Sequence, residues 1–282
     1  MSAPGAAPGY RPTASLPLRV ELVRQLRRRR TVLTLGFLAV LPVLLWLAFS
    51  IGHDSGNRSG ATLVDLATTS GLNFVVFTLF STASFLLVVV VALVFGDTVA
   101  SEASWATLRY LLASPVPRGR LLRQKAAVAA LLSLLALGLL PAVALVVGVL
   151  AYGAGDLVSP TGQSLEFLLA AGRLALTPVY LAVHLAWVAG LALLLSVSTD
   201  APLGAVGGAV LVSILSQILE TIDALGGLRD YLPTRFNSAW VDLLSSPIDW
   251  TRLASGAFSG VAYATAFGLA AWWHFTRKDI TS

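Results

Sequence analysis

The sequence predicts an all-α integral membrane protein with six transmembrane helices. Composition gives the first reason: 56% of the 282 residues are hydrophobic and 12% charged, with a mean hydropathy of +0.81. An ordinary soluble domain carries about 25% charged residues, so this chain has too few polar side chains to cover a globule. The second reason is the set of six long apolar runs, at 31–51, 72–95, 126–152, 174–198, 201–222 and 256–275. Each reaches the length of about 20 residues that a helix needs to cross about 30 Å of hydrocarbon. The third is the absence of cysteine, which excludes a disulfide-stapled secreted module, a thiolate metal site and a cysteine nucleophile. Disorder is excluded as well, because it requires low hydrophobicity and high charge.

Residues 1–17 are rich in Pro, Gly, Ala and Ser and read as a flexible tail. In 18–30, Leu18, Leu22, Val23 and Leu26 share one side of a helix, with Arg24, Arg27 and Arg28 elsewhere and Arg19 spoiling the stripe. This reads as an amphipathic interface helix on anionic lipid, or as a plain stop signal of positive charges. The run 31–51 is longer than a signal-peptide core and follows 30 residues, so it is retained as a span. Of the six runs only the fifth holds a formal charge, Glu220, and the polar turn between the fourth and fifth suits a tight antiparallel pair.

Lys and Arg set the orientation. With the N-terminus inside, 14 of the 19 fall in inner segments and five in outer ones, so both termini are expected in the cytoplasm and the chain in the cytoplasmic membrane. The inner segment 96–125 then carries Trp105, Leu108, Leu111 and Leu112 at helical spacing, followed by Pro115 and Pro117 and by Arg118, Arg120, Arg123 and Lys125. Charge alone explains the basic half. It does not explain Trp105, the leucines or the preceding Glu102, which form an apolar stripe that needs a covering surface. Loops 52–71 and 153–173 read as ordinary outer connections. Loop 223–255 holds Phe236, Trp240, Leu243 and Trp250, residues suited to a membrane interface or to folding back into the protein.

Two mixed faces are pathway candidates. Ser213, Gln217 and Glu220 share a face of the fifth span, and Asn73, Phe77, Phe80, Ser81 and Ser84 share one on the second. Glu220 can also be read at the outer headgroup level, Gln217 as an interhelical bond, and the aromatics as packing. The three histidines, His53, His184 and His274, lie at different depths and cannot form one site; His184 reads as a neutral histidine bonding across helices. No pair of acids lies within a span, so no metal site is expected. A P-loop needs Lys between Gly and Ser/Thr, and neither Lys125 nor Lys278 has those neighbours.

The pattern resembles the type-2 ATP-binding-cassette (ABC) transporter permeases. Ser101-Glu102, Thr107-Leu108-Arg109, Ser114-Pro115-Val116-Pro117-Arg118 and Lys125 follow the family's order, with Ala106 where many members have Gly. Tyr231-Leu232-Pro233-Thr234, Ala239-Trp240, Pro247-Ile248-Asp249-Trp250 and the terminal 277–282 look like bacterial, especially actinobacterial, members. The resemblance implies a coupling helix spanning Glu102, Trp105, Leu108, Arg109, Leu111 and Leu112, with Arg118 at its end, docking on a cytoplasmic ATPase. It implies an interface helix carrying Leu18, Leu22, Leu26 and Arg27, and short re-entrant or extracellular helices between spans five and six. It also implies two ATPase subunits holding ATP and Mg, no cofactor in this chain, and a second permease copy or a related permease as partner. The function implied is export of a hydrophobic or amphipathic substrate, as in multidrug efflux, with lipid but no nucleic acid as a further partner. The alternative is a membrane-embedded enzyme acting on lipid or peptide.

Overall fold

A computed structural model describes residues 18–52, 63–104, 117–159 and 163–277. Helix α1 (Leu18–Leu26) ends in a turn at Arg27 and Arg28, and α2 (Arg29–Gly52) follows. A short α3 (Leu63–Ala67) precedes α4 (Gly71–Ala83) and α5 (Leu86–Ser104); next comes α6 (Arg118–Tyr152), at 35 residues the longest. A two-residue antiparallel ladder, β1 (Leu157–Val158) with β2 (Ser164–Leu165), leads into α7 (Phe167–His184) and α8 (Ala186–Ser198). After α9 (Pro202–Glu220) come two 3-10 segments, Asp223–Tyr231 and Ala239–Leu244, and then α10 (Trp250–Arg277).

The chain is all-helical apart from that ladder. Five helical stretches are long and apolar enough to cross a membrane, and the bent pair α4–α5 makes a sixth when its halves are taken together. Two contacts show that the pair is one span rather than a re-entrant loop. At one end Gly71 N donates to Gly153 O at 3.0 Å, beside the C-terminus of α6. At the other, Lys125 Nζ, two turns into α6, donates to Glu102 at 2.8 Å. The broken pair therefore runs the length of α6, antiparallel to it.

The structure revises several boundaries. The run 72–95 is two helices at 56° to one another. The third span begins at Arg118, so its basic foot is the first two turns of the helix itself. The fourth begins at Phe167 and breaks at Leu185, and the sixth begins at Trp250. The loop expected to be plain over 153–173 carries the β-ladder, and that over 52–71 carries α3.

End signals account for the helices locally. Ser70 caps α4, its Oγ accepting from Asn73 N. Pro202 occupies the first turn of α9, where its missing N–H costs nothing. Gly153, at φ 80°, terminates α6 and returns its N–H to Val149 O. Packing centres on α8, whose Trp187, Val188, Ala192 and Val197 are buried between α5 and α10. On the other side α6 packs against α2 and α4. Where α4 crosses α6 the backbones nearly touch: a Cβ on Gly148 would lie 2.7 Å from Gly71 O. The outer flanks of α2, α9 and α10 stay uncovered, with Leu33, Leu203, Leu211 and Phe258 all more than 65% exposed. Such faces suit lipid or a second membrane chain.

Candidate functional site

At the basic end of the bundle, four helices, α1, α2, α5 and α6, meet in a network of paired charge. From α1, Glu21 is 4% exposed and accepts from Arg24 at 2.8 Å and Gln25 at 3.0 Å. From α5, Glu102 is 7% exposed and accepts from Lys125 at 2.8 Å and Arg24 at 3.4 Å. One turn and a residue earlier, Asp97 pairs with Arg30 of α2 and lies 3.5 Å from Arg28. Lys125 of α6 is itself 6% exposed. The arrangement follows from local spacing: Arg24 and Gln25 stand three and four residues after Glu21, so both reach its carboxylate along one helix face. Two small cavities of about 30 and 20 Å³ lie alongside, with Gln25, Val94, Asp97 and Leu132 lining both.

Buried charges persist only when paired, since an isolated one costs several kcal/mol. Burial alone would raise the Glu21 carboxyl. The hydrogen bonds from Arg24 and Gln25 and the charges of Lys125 and Arg24 outweigh it, so its pKa is lowered. The Arg24 guanidinium is raised, chiefly by its bond to Glu21. Arg28 is lowered, first by burial and then by the neighbouring Arg30. These pairs bind α1 to α5 and α6. Further along the same end, Arg123 sits 5.9 Å over the Trp272 ring and Arg277 4.7 Å over Trp273. Ser196 of α8 adds a tie to α5, its Oγ accepting from Val99 N and Ala100 N, each at 3.0 Å.

The sequence-derived residues fall into three groups. Trp105, Leu108, Arg109, Leu111 and Leu112 lie outside the described residues, between the ends of α5 and α6. Glu102 and Arg118 flank that segment, Glu102 turned inward to Lys125 and Arg118 opening α6. On α1 the expected leucine stripe is not the face most deeply covered: Leu18 is 40% exposed, Leu22 and Leu26 are half-buried and Arg27 is exposed. Glu21 takes the covered position because its charge is satisfied there.

The candidate pathway residues separate as well. Asn73 is buried in the first turn of α4, where its Oδ1 accepts from Val158 N and its Nδ2 donates to Val158 O. Phe77 packs edge-on to Phe49 of α2, and Phe80 is 57% exposed. Ser213 is buried, and Gln217 Nε2 donates to it at 3.3 Å and to Ser84 O at 3.0 Å. Glu220 lies 3.7 Å from Arg235 of the following loop. His184 Nδ1 lies 3.3 Å from Gly256 O, a bond across helices.

The segment between α9 and α10 caps one end of the bundle. Trp240 is 1% exposed, Thr234 and Ser216 share a hydrogen bond of 2.8 Å, and Tyr180 Oη donates to Phe236 O. Asp242, held by Arg252, nevertheless has a raised pKa, because burial outweighs that pairing. Among the described residues no three His, Asp or Glu converge as a metal ion requires.

Sequence reasoning missed Glu21 and Asp97 as members of the basic-end network. Spacing gave one clue, since Glu21 stands at i, i+3 and i+4 from its donors; Asp97 gave none, because an acid just beyond an apolar run reads as a solvated end. No curated protein matches the chain significantly. The family described as ABC-2 family transporter protein matches residues 18–198, more than half of the chain, from α1 to the end of α8. The protein therefore belongs to the ABC-2 transporter family, as one of its membrane-spanning members.

Proposed function

We propose that the chain is the permease subunit of an ATP-driven exporter, moving a hydrophobic or amphipathic substrate such as a drug or lipid across the cytoplasmic membrane. ATP is hydrolysed by a separate pair of cytoplasmic subunits, which hold the nucleotide and Mg. The supporting observation is the buried charge junction, which fastens α1 to α5 and α6, the two helices that flank residues 105–116 in sequence. A push delivered to α5 there reaches three elements at once. The 14-to-five division of Lys and Arg favours a cytoplasmic position for this end and for both termini.

In this reading Trp105, Leu108, Arg109, Leu111 and Leu112 form the docking surface, and Glu102 and Arg118 anchor its two ends. Leu18, Leu22, Leu26 and Arg27 lie at the lipid headgroups. The uncovered flank of α2 and α9 meets a second permease, identical or related, and the substrate passes between them. In this reading Phe80, which is 57% exposed, faces that boundary, with Phe77, Ser213 and Glu220 along the pathway and Asn73 at its far end.

The test is reconstitution with the cognate ATPase. Trp105→Ala is expected to leave the chain inserted and monodisperse while weakening ATPase binding about 10- to 30-fold, the loss typical of a buried aromatic anchor. Substrate-stimulated hydrolysis should fall with it. Wild-type affinity and full stimulation would contradict the docking role.

A further inference from the structure

We propose that Gln217 is a positioning residue that sets the angle of the broken second span, so that movement of its inner half is transmitted about a fixed pivot. The break falls at Ser84 and Phe85, between α4 and α5, where the axis turns by 56°. A break at that depth frees backbone groups that lipid cannot satisfy, so a neighbour must supply the partner. Here Gln217 of α9 supplies it: its Nε2 donates to Ser84 O at 3.0 Å. The same nitrogen also lies 3.3 Å from the buried Oγ of Ser213, one turn earlier, a longer and secondary contact. Regular bonding resumes at once below, with Val89 N donating to Phe85 O at 2.9 Å.

Each half is fixed at its far end. The outer half is clamped at Gly71 and Asn73 against Gly153 and Val158; the inner half ends in the Glu102–Lys125 pair. The pivot therefore lies between a static outer anchor and the junction where the proposed coupling segment attaches. Gln217 thus acts through the span-two backbone, with no need to touch the substrate. This rests on the proposed function only for what drives the inner half; the pivot itself is a property of the permease.

The experiment uses the full permease in lipid nanodiscs, without ATPase or nucleotide, so its failure and that of the coupling reading are separable. The chain has no cysteine, so Thr69→Cys and Ser104→Cys place spin labels at the two ends of the broken span without background. The halves put these roughly 40 Å apart, and a 20° change of bend shifts the separation by about 3 Å. Gln217→Met, which has no donor, is expected to shift or broaden the distance distribution by about that amount. Ser213→Ala, which keeps the donor, should leave it near wild type. Gln217→Glu donates only when protonated, so it should match wild type at low pH and Gln217→Met at high pH, with the wild-type distribution unchanged between them. A wild-type distribution in Gln217→Met, or a Gln217→Glu distribution independent of pH, would overturn the proposal. If Gln217→Met fails to insert, the pH comparison within one folded Gln217→Glu sample decides the matter.

Discussion

Lys125→Met is expected to destabilise the folded permease by about 3 kcal/mol, the low end of the cost of orphaning one member of a buried ion pair. Both side chains are less than a tenth exposed, so Glu102 would lose a partner at 2.8 Å without gaining water. The loss is not larger because Arg24 remains 3.4 Å from the same carboxylate. The double variant Lys125→Met/Glu102→Met should recover most of the stability, since two apolar side chains of similar volume replace a pair whose Coulombic gain mainly offset its own desolvation. Thermal unfolding of the detergent-purified chain measures both. A small effect in the single variant, or no recovery in the double, would show that the junction contributes little to the fold.

Gly148→Leu is expected to have a comparable effect at the opposite end of α6. Any Cβ there would approach Gly71 O to 2.7 Å and Gly71 Cα to 3.0 Å, and these are backbone atoms that cannot rotate away. The helices must separate, which breaks the Gly71 N to Gly153 O bond and loosens the hairpin contact made by Asn73. Overpacking of this kind costs about 1–3 kcal/mol or more. A glycine facing open space provides the control: nothing lies within 4 Å of a Cβ built on Gly138, so Gly138→Ala in the same helix should be close to neutral or slightly stabilising. Equal stability of Gly148→Leu and Gly138→Ala would contradict the close crossing of α4 and α6.

Run length made the six spans legible, because hydrocarbon thickness leaves little choice about where a helix can cross. It could not reveal the break in the second span. No Pro or Gly stands at Ser84 or Phe85, and the bend is held by Gln217, which is 133 residues away in sequence. The early starts of the fourth and sixth spans were hidden for a different reason. Arg173 and Arg252 look like the ends of apolar runs, yet Arg173 Nη1 donates to Ser245 O and Arg252 pairs with Asp242, so both lie inside helices that continue beyond them.

At the basic end, composition signalled a positive surface but not its internal pairing. Glu21 looked like the polar side of an amphipathic helix, and only the positions of α5 and α6 turn that side inward. The leucines of α1 are left correspondingly more exposed. The cap between α9 and α10 was partly readable: its aromatic content implied that it would not be a plain linker, and Trp240 is indeed buried, whereas Trp250 is 64% exposed.

In the proposed function, the end of the bundle holding Glu102 receives force from a nucleotide-hydrolysing partner. Because the chain lacks cysteine, Ser104→Cys offers a single attachment point beside that junction, and Thr69→Cys offers one at the far end of the same span. With the cognate ATPase co-expressed, a short thiol-to-amine crosslinker should join Ser104→Cys to a subunit identified by mass spectrometry as carrying Walker motifs, in a yield that changes with ATP. Thr69→Cys should give no such product. Capture of the ATPase from Thr69→Cys but not from Ser104→Cys, or a product at neither position while transport persists, would contradict the account.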